Sequence, residues 1–198
     1  YQFTLGYMDK VQFIMITGLI VGFILALIIT FKQSFSPYLA PIYAFCEGAF
    51  LGGFSAQIEA VYPGIAIQSI ALTFMTTFTM LAIYKTGIIK VTDKFRAILL
   101  SAMGGIFLLY LVSFILSFFG KQIPYLFSSS PIGIGFSIFV VIIAALSLLP
   151  NFDFIEKGTQ MMLPKYMEWY SAFGVMVTLV WLYMEIVRLL AKLRDSNR

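Results

Sequence analysis

An all-α bundle of membrane-spanning helices is the fold class that this 198-residue chain predicts, and three observations carry that prediction. The chain is 61% hydrophobic with 11% charged residues, and its mean hydropathy is +0.95, more apolar than a soluble globular surface tolerates. From Gln12 to Leu193 short polar hinges divide it into six apolar blocks. Each block is close to the roughly 20 residues that a helix needs to cross a bilayer.

The first block, Gln12 to Phe31, carries no charge, and its Gly18 and Gly22 fall on one helix face. That small-xxx-small spacing predicts a close helix contact. Lys32, Ser34, Ser36 and Pro37 form a turn, and the second block runs from Tyr38 to Ile58, with Glu47 inside it and Gly48 and Gly52 repeating the glycine spacing. After a hinge at Glu59 to Gly64, the third block, Ile65 to Tyr84, holds Thr73, Thr76, Thr77 and Thr79. Their hydroxyls are expected to bond back to carbonyls one turn earlier. Lys85 to Arg96 is the most charged connection, Ala97 to Phe119 the fourth block, and Gly120, Lys121, Pro124 and a run of serines the next hinge. Pro131 opens the fifth block, which ends at Leu149 before Pro150; a charged connection holds Asp153, Glu156, Lys157, Lys165 and Glu168, and the last block spans about Tyr170 to Leu190. No stretch is long enough to link a second domain, so residues 1–198 read as one transmembrane bundle.

Composition narrows the function classes. A net charge of +4 would suggest nucleic acid in a soluble domain, but these basic residues lie in loops and at the C-terminus, where they meet lipid headgroups. The lipid bilayer is the expected partner, and nucleic acid is not one. The charge of the internal loops and that of the C-terminus give opposing orientations for the last helix. The single cysteine, Cys46, excludes an internal disulfide, and with no histidine the usual zinc and copper sites are not expected. No Cys–His pair, phosphate-binding glycine loop or Gly-x-Ser-x-Gly sequence occurs, so the chain does not read as an enzyme. The 21 Phe and 11 Tyr suit lipid-facing and interfacial packing, with Trp169, Tyr170, Trp181 and Tyr183 at belt positions.

A carboxylate inside a bilayer carries a solvation cost of a few kcal/mol on insertion scales, so the acids within or at the edge of the blocks are the functional candidates. Glu47, near the centre of its span, must be protonated, paired, hydrated or cation-bound. Glu185 precedes Arg188 by three residues, a spacing that brings the side chains together. Asp153 and Glu156 share a face if the fifth helix continues past Pro150, and would then interact as a carboxylate pair. In a chain without histidine, a pH response near neutrality has to come from such carboxylates.

The residues Glu47-Gly48 with Gly52, Tyr84-Lys85 before the basic loop, Phe152-Asp153 closing the penultimate span, and Lys165-Tyr166 through Ile186-Val187-Arg188-Leu189-Leu190 in the last together resemble the transmembrane Bax-inhibitor-motif family. The resemblance is to its bacterial, YccA-like branch and covers nearly the whole chain. It implies a seven-helix bundle with the last helix central, one helix preceding Tyr1, a bacterial plasma-membrane location, and a pH-sensitive calcium leak with Ca²⁺ as the transported ion. It further implies a gate of two aspartates, the first matched by Asp153. Registered on Lys165-Tyr166 and Arg188, the second falls at Val177 or Thr178, neither of which ionises. Glu185, about two turns on, and Glu47 are the candidate replacements. Asp153 is the position where a Ca²⁺ ion would be expected. The alternative is a non-conducting membrane scaffold or regulator that binds another membrane protein, such as a quality-control protease.

Overall fold

In the computed structural model, which describes residues 8–120 and 128–196, the chain folds into α1 (Met8–Phe31), α2 (Ser36–Val61), α3 (Ile65–Thr86), α4 (Asp93–Phe118), α5 (Pro131–Leu146), α6 (Leu148–Gln160) and α7 (Tyr166–Ser196), with a single 3-10 turn at Gln33–Phe35. Among the described residues there is no strand, and six helical segments are long and apolar enough to cross a membrane, α5 and α6 together making the fifth. Lys121, Pro124 and Arg198 lie outside the described residues.

Local chemistry explains where the helices start and turn. Thr92 caps α4 by accepting from the Phe95 N–H at 3.2 Å, and Ser130 caps α5 by accepting from Gly133 N–H at 3.2 Å, with Pro131 next in the first turn, where its missing donor costs nothing. Glu59 folds the turn between α2 and α3, its carboxylate accepting from the Gly64 and Ala66 N–H groups. As expected, threonines of α3 bond back along their own helix: Thr73 to Ser69 O at 2.7 Å, Thr77 to Thr73 O at 2.7 Å and Thr79 to Met75 O at 2.8 Å.

One boundary differs from the sequence reading. The charged connection after Pro150 is largely helical, because α6 carries the chain to Gln160 after a break at Ser147. Pro150 sits in the first turn of α6, where proline is tolerated, so Asp153 is a helix residue rather than a loop residue.

The chain divides into two compact units, residues 1–66 with 154–180, and residues 67–153 with 181–198. In the first, α1 packs along α2. A Cβ at Gly18 would stand 2.7 Å from Cys46 O, and one at Gly22 would stand 3.7 Å from both Cys46 Cβ and Glu47 Oε1. A core of Ile29, Ala40, Tyr43 and Phe173 closes this unit, Tyr43 and Phe173 meeting edge-on with centroids 5.0 Å apart. In the second unit the buried apolar residues include Leu99 and Ile106 of α4, Val140 and Ala144 of α5, Leu148 of α6, and Leu182, Ile186 and Val187 of α7.

Gly48 and Gly52 correct the expectation of a second glycine crossing. Both are exposed, and among the described residues a Cβ at either would meet nothing within 4 Å. Cys46, Phe50 and Gly53 present the α2 face that meets α1, where a Cβ at Gly53 would stand 3.0 Å from Met15 Cβ. That face is spaced at three and four residues, which turns Gly48 and Gly52 away from it.

Candidate functional site

Charged and polar side chains are gathered most densely in the second unit, and α7 supplies the organising face. Trp181, Glu185, Arg188 and Lys192 recur at intervals of four, three and four residues, a spacing that stacks side chains along one helix stripe. Glu185 is 1% exposed. Its carboxylate accepts from Arg188 Nη1 at 2.9 and 3.0 Å, from the Tyr110 hydroxyl of α4 at 3.2 Å to each oxygen, and from the Trp181 indole N–H at 3.3 Å. Arg188 also donates to the Tyr110 hydroxyl oxygen and lies 4.8 Å from the centre of its ring. The network lets an ionised glutamate stay inside an apolar bundle, since cation, hydroxyl and indole together replace its water.

Asp153 is the second buried acid of this unit, 8% exposed. Arg96, at the first turn of α4, makes an ion pair with it across 57 residues of sequence. Arg96 and Tyr110 are fourteen residues apart on α4, so the Asp153 and Glu185 networks are separated by about 21 Å of helix. Glu156 is exposed. The anticipated pairing of Asp153 with Glu156 is therefore corrected: α6 carries the two acids a turn apart, but Asp153 is buried against the Arg96 cation while Glu156 stays exposed to its surroundings.

Glu47 belongs to the first unit. It is half-buried, faces Gly22 of α1, and hydrogen-bonds with Tyr43 one turn earlier on α2. Its Oε2 is buried without a hydrogen-bond partner among the described residues. In the same unit Val177 is exposed and the Thr178 hydroxyl donates to Gly174 O at 3.0 Å.

Sequence reading missed Arg96, Tyr110 and Lys192. Arg96 counted as a loop charge and Lys192 as part of a basic tail. Lys192 is instead 5% exposed, its Nζ donating to Gly133 O at 3.0 Å and to Ser137 Oγ at 2.8 Å on α5. Its place in the stripe of Glu185 and Arg188 was the available signal. Trp181 and Tyr183 leave the proposed aromatic belt: the Trp181 N–H serves Glu185, and Tyr183 is buried.

The donors do not form a resident Ca²⁺ cage. That ion takes six to eight oxygen ligands, whereas no group of three His, Cys, Asp or Glu side chains gathers among the described residues. At Asp153 an arriving ion would have to displace Arg96.

The family profile described as Bax inhibitor 1 like matches residues 1–195. The chain belongs to this family. No curated protein and no solved structure matches the chain. Membership fits the six bilayer-compatible helical segments, and this Bax inhibitor-like chain is an integral membrane protein.

Proposed function

We propose that this Bax inhibitor-like protein is a pH-sensitive cation leak, passing Ca²⁺ as cargo through a path bordered by the polar residues of its second unit. The reading places it in a bacterial plasma membrane, in keeping with the branch that its sequence resembles, and gives it no enzymatic activity. The observation that carries it is the Arg96–Asp153 ion pair between α4 and α6. Such a pair is a poor source of net stability, because the Arg96 side chain keeps 39% exposure and solvent screens its attraction to Asp153. Ionisable groups at membrane depth mark ion pathways more often than they brace a fold.

The pair also supplies a gate. With Asp153 ionised, Arg96 is held and α4 is tied to α6. Protonating Asp153 removes the charge that holds Arg96, so the tie weakens and the path widens. Acid therefore raises flux. Glu185 is buffered by three donors and Glu47 sits in the other unit, so both are secondary contributors to the pH response. A non-conducting scaffold for another membrane protein is the second reading; the observation that favours it is that Asp153 and Glu185 both already have guanidinium partners.

Ca²⁺ flux into liposomes over about pH 5 to 8, the range in which histidine-based sensors also act, tests the gate. The parent should conduct more as pH falls. Asp153→Asn should conduct at every pH with a flattened profile, while Glu185→Gln and Glu47→Gln should keep a pH-dependent rise. If Asp153→Asn retains the parent profile, Asp153 is not the gate; a profile flattened by Glu47→Gln or Glu185→Gln alone would move the role to that acid.

A further inference from the structure

The turn that joins α6 to α7 borders a cavity of about 350 Å³ that the proposed gate does not use and that lies wholly within the first unit. Ile155 of α6, Leu163 and Pro164 of the turn, and Met167 and Ala172 of α7 supply its apolar walls. The polar lining is one-sided. The Thr159 hydroxyl donates to Ile155 O at 2.9 Å and the Ser171 hydroxyl to Met167 O at 2.7 Å, so each has spent its proton and keeps only lone pairs to offer. Glu168 adds an exposed carboxylate that makes no hydrogen bond or ion pair among the described residues. Lys157 and Lys165 are near in sequence, but neither lines the cavity. Met162 also lines it while keeping 90% exposure, and among the described residues it is the one non-glycine residue with a positive φ, 47°. Helices commonly end through a glycine in that conformation, because a Cβ is unfavourable there. Strained residues of this kind collect at ligand clamps, where the side chain is worth the backbone cost.

We propose that this cavity is a binding site for a hydrophobic organic cation, whose apolar body lies between α6 and α7 against Met162 and whose charge meets Glu168. Ligand clefts run from about 300 to about 1,000 Å³, and a volume at the small end suits a single-ring amine or quaternary ammonium. The thioether of Met162 adapts to an aromatic ring at low cost. The fifth spanning segment ends at Gln160 and the sixth begins at Tyr166, so the cavity sits where bilayer meets water. A molecule with an apolar body and one charged end concentrates there for the reason that lysine side chains snorkel. An anion would instead face Glu168 and the two acceptor oxygens. Glu168, in the first turn of α7, also complements the positive end of the helix dipole. A carboxylate with that role alone would affect stability without affecting ligand binding.

Benzyltrimethylammonium, titrated calorimetrically into the full chain in nanodiscs with empty nanodiscs as the blank, tests the site, and thermal unfolding is the folding control. The parent should show saturable binding. Glu168→Gln keeps the shape and removes the charge, and should weaken binding about fivefold, the scale of one solvent-exposed ion pair. Met162→Gly should weaken it as well while melting no lower than the parent, because glycine suits a positive φ. Ala172→Phe puts a ring into the cavity and should abolish binding, whereas Lys165→Gln, outside the lining, should leave it unchanged. No saturable binding by the parent overturns the proposal. A folded Glu168→Gln protein that binds as the parent does overturns the cation recognition, and undiminished binding by Ala172→Phe places the probe elsewhere and overturns the site. Glu168 and Met162 are both exposed, so their variants decide the matter if Ala172→Phe does not fold. None of these readings measures ion flux, so the site and the leak stand or fall separately.

Discussion

Arg188→Ala is expected to lower the unfolding free energy by about 3 kcal/mol, because it leaves the buried Glu185 carboxylate without its cation. The figure is taken from the low end of the range for broken buried pairs, since the Arg188 side chain keeps 30% exposure while that of Glu185 keeps 2%. Tyr110 and Trp181 would still donate to the carboxylate, but neither supplies charge. Removing both partners should be far milder: Glu185→Leu with Arg188→Met replaces two ions by apolar groups of similar size and should stay within about 1 kcal/mol of the parent. Denaturant unfolding in detergent or bicelles reads the difference. An Arg188→Ala protein as stable as the parent would show that the Glu185 network does not depend on the guanidinium.

Gly18→Leu should cost about 3 kcal/mol, near the upper end for overpacking. The Cβ alone would stand 2.7 Å from Cys46 O and 3.3 Å from Phe50 N. Both are backbone atoms of α2, so no side-chain rotation relieves the clash and the α1–α2 crossing has to widen. Gly52→Leu is the matched control, expected within about 0.5 kcal/mol of the parent as an ordinary surface change, because among the described residues a Cβ there meets nothing within 4 Å. Equal melting temperatures for the two variants would contradict the crossing geometry.

These two sites show which features could be read from the chain. Helix content and the six spanning segments follow from hydrophobic length, because a bilayer demands a continuous apolar run of fixed size and closes backbone hydrogen bonds within the helix. The Glu185–Arg188 pair was equally legible, since its spacing of three is local. Arg96–Asp153 was not: its partners are 57 residues apart on different helices, and only their packing brings them together. Gly48 and Gly52 failed for a related reason. The spacing of two glycines says that they share a face, but not which face another helix covers. Lys192 was misassigned because lysine near a chain end usually reaches for headgroups, and nothing local announces that Gly133 and Ser137 will be there to receive its ammonium.

Both readings of function share the fold, the ion pairs and the family, and they part on whether the purified chain passes ions unaided. Ca²⁺ entry into liposomes containing this protein alone, compared with protein-free vesicles at about pH 5 and about pH 8, tests that directly. The cation-leak account predicts entry faster than in the protein-free vesicles, and faster at the acidic pH. Entry indistinguishable from protein-free vesicles at both pH values would contradict it and leave the scaffold reading.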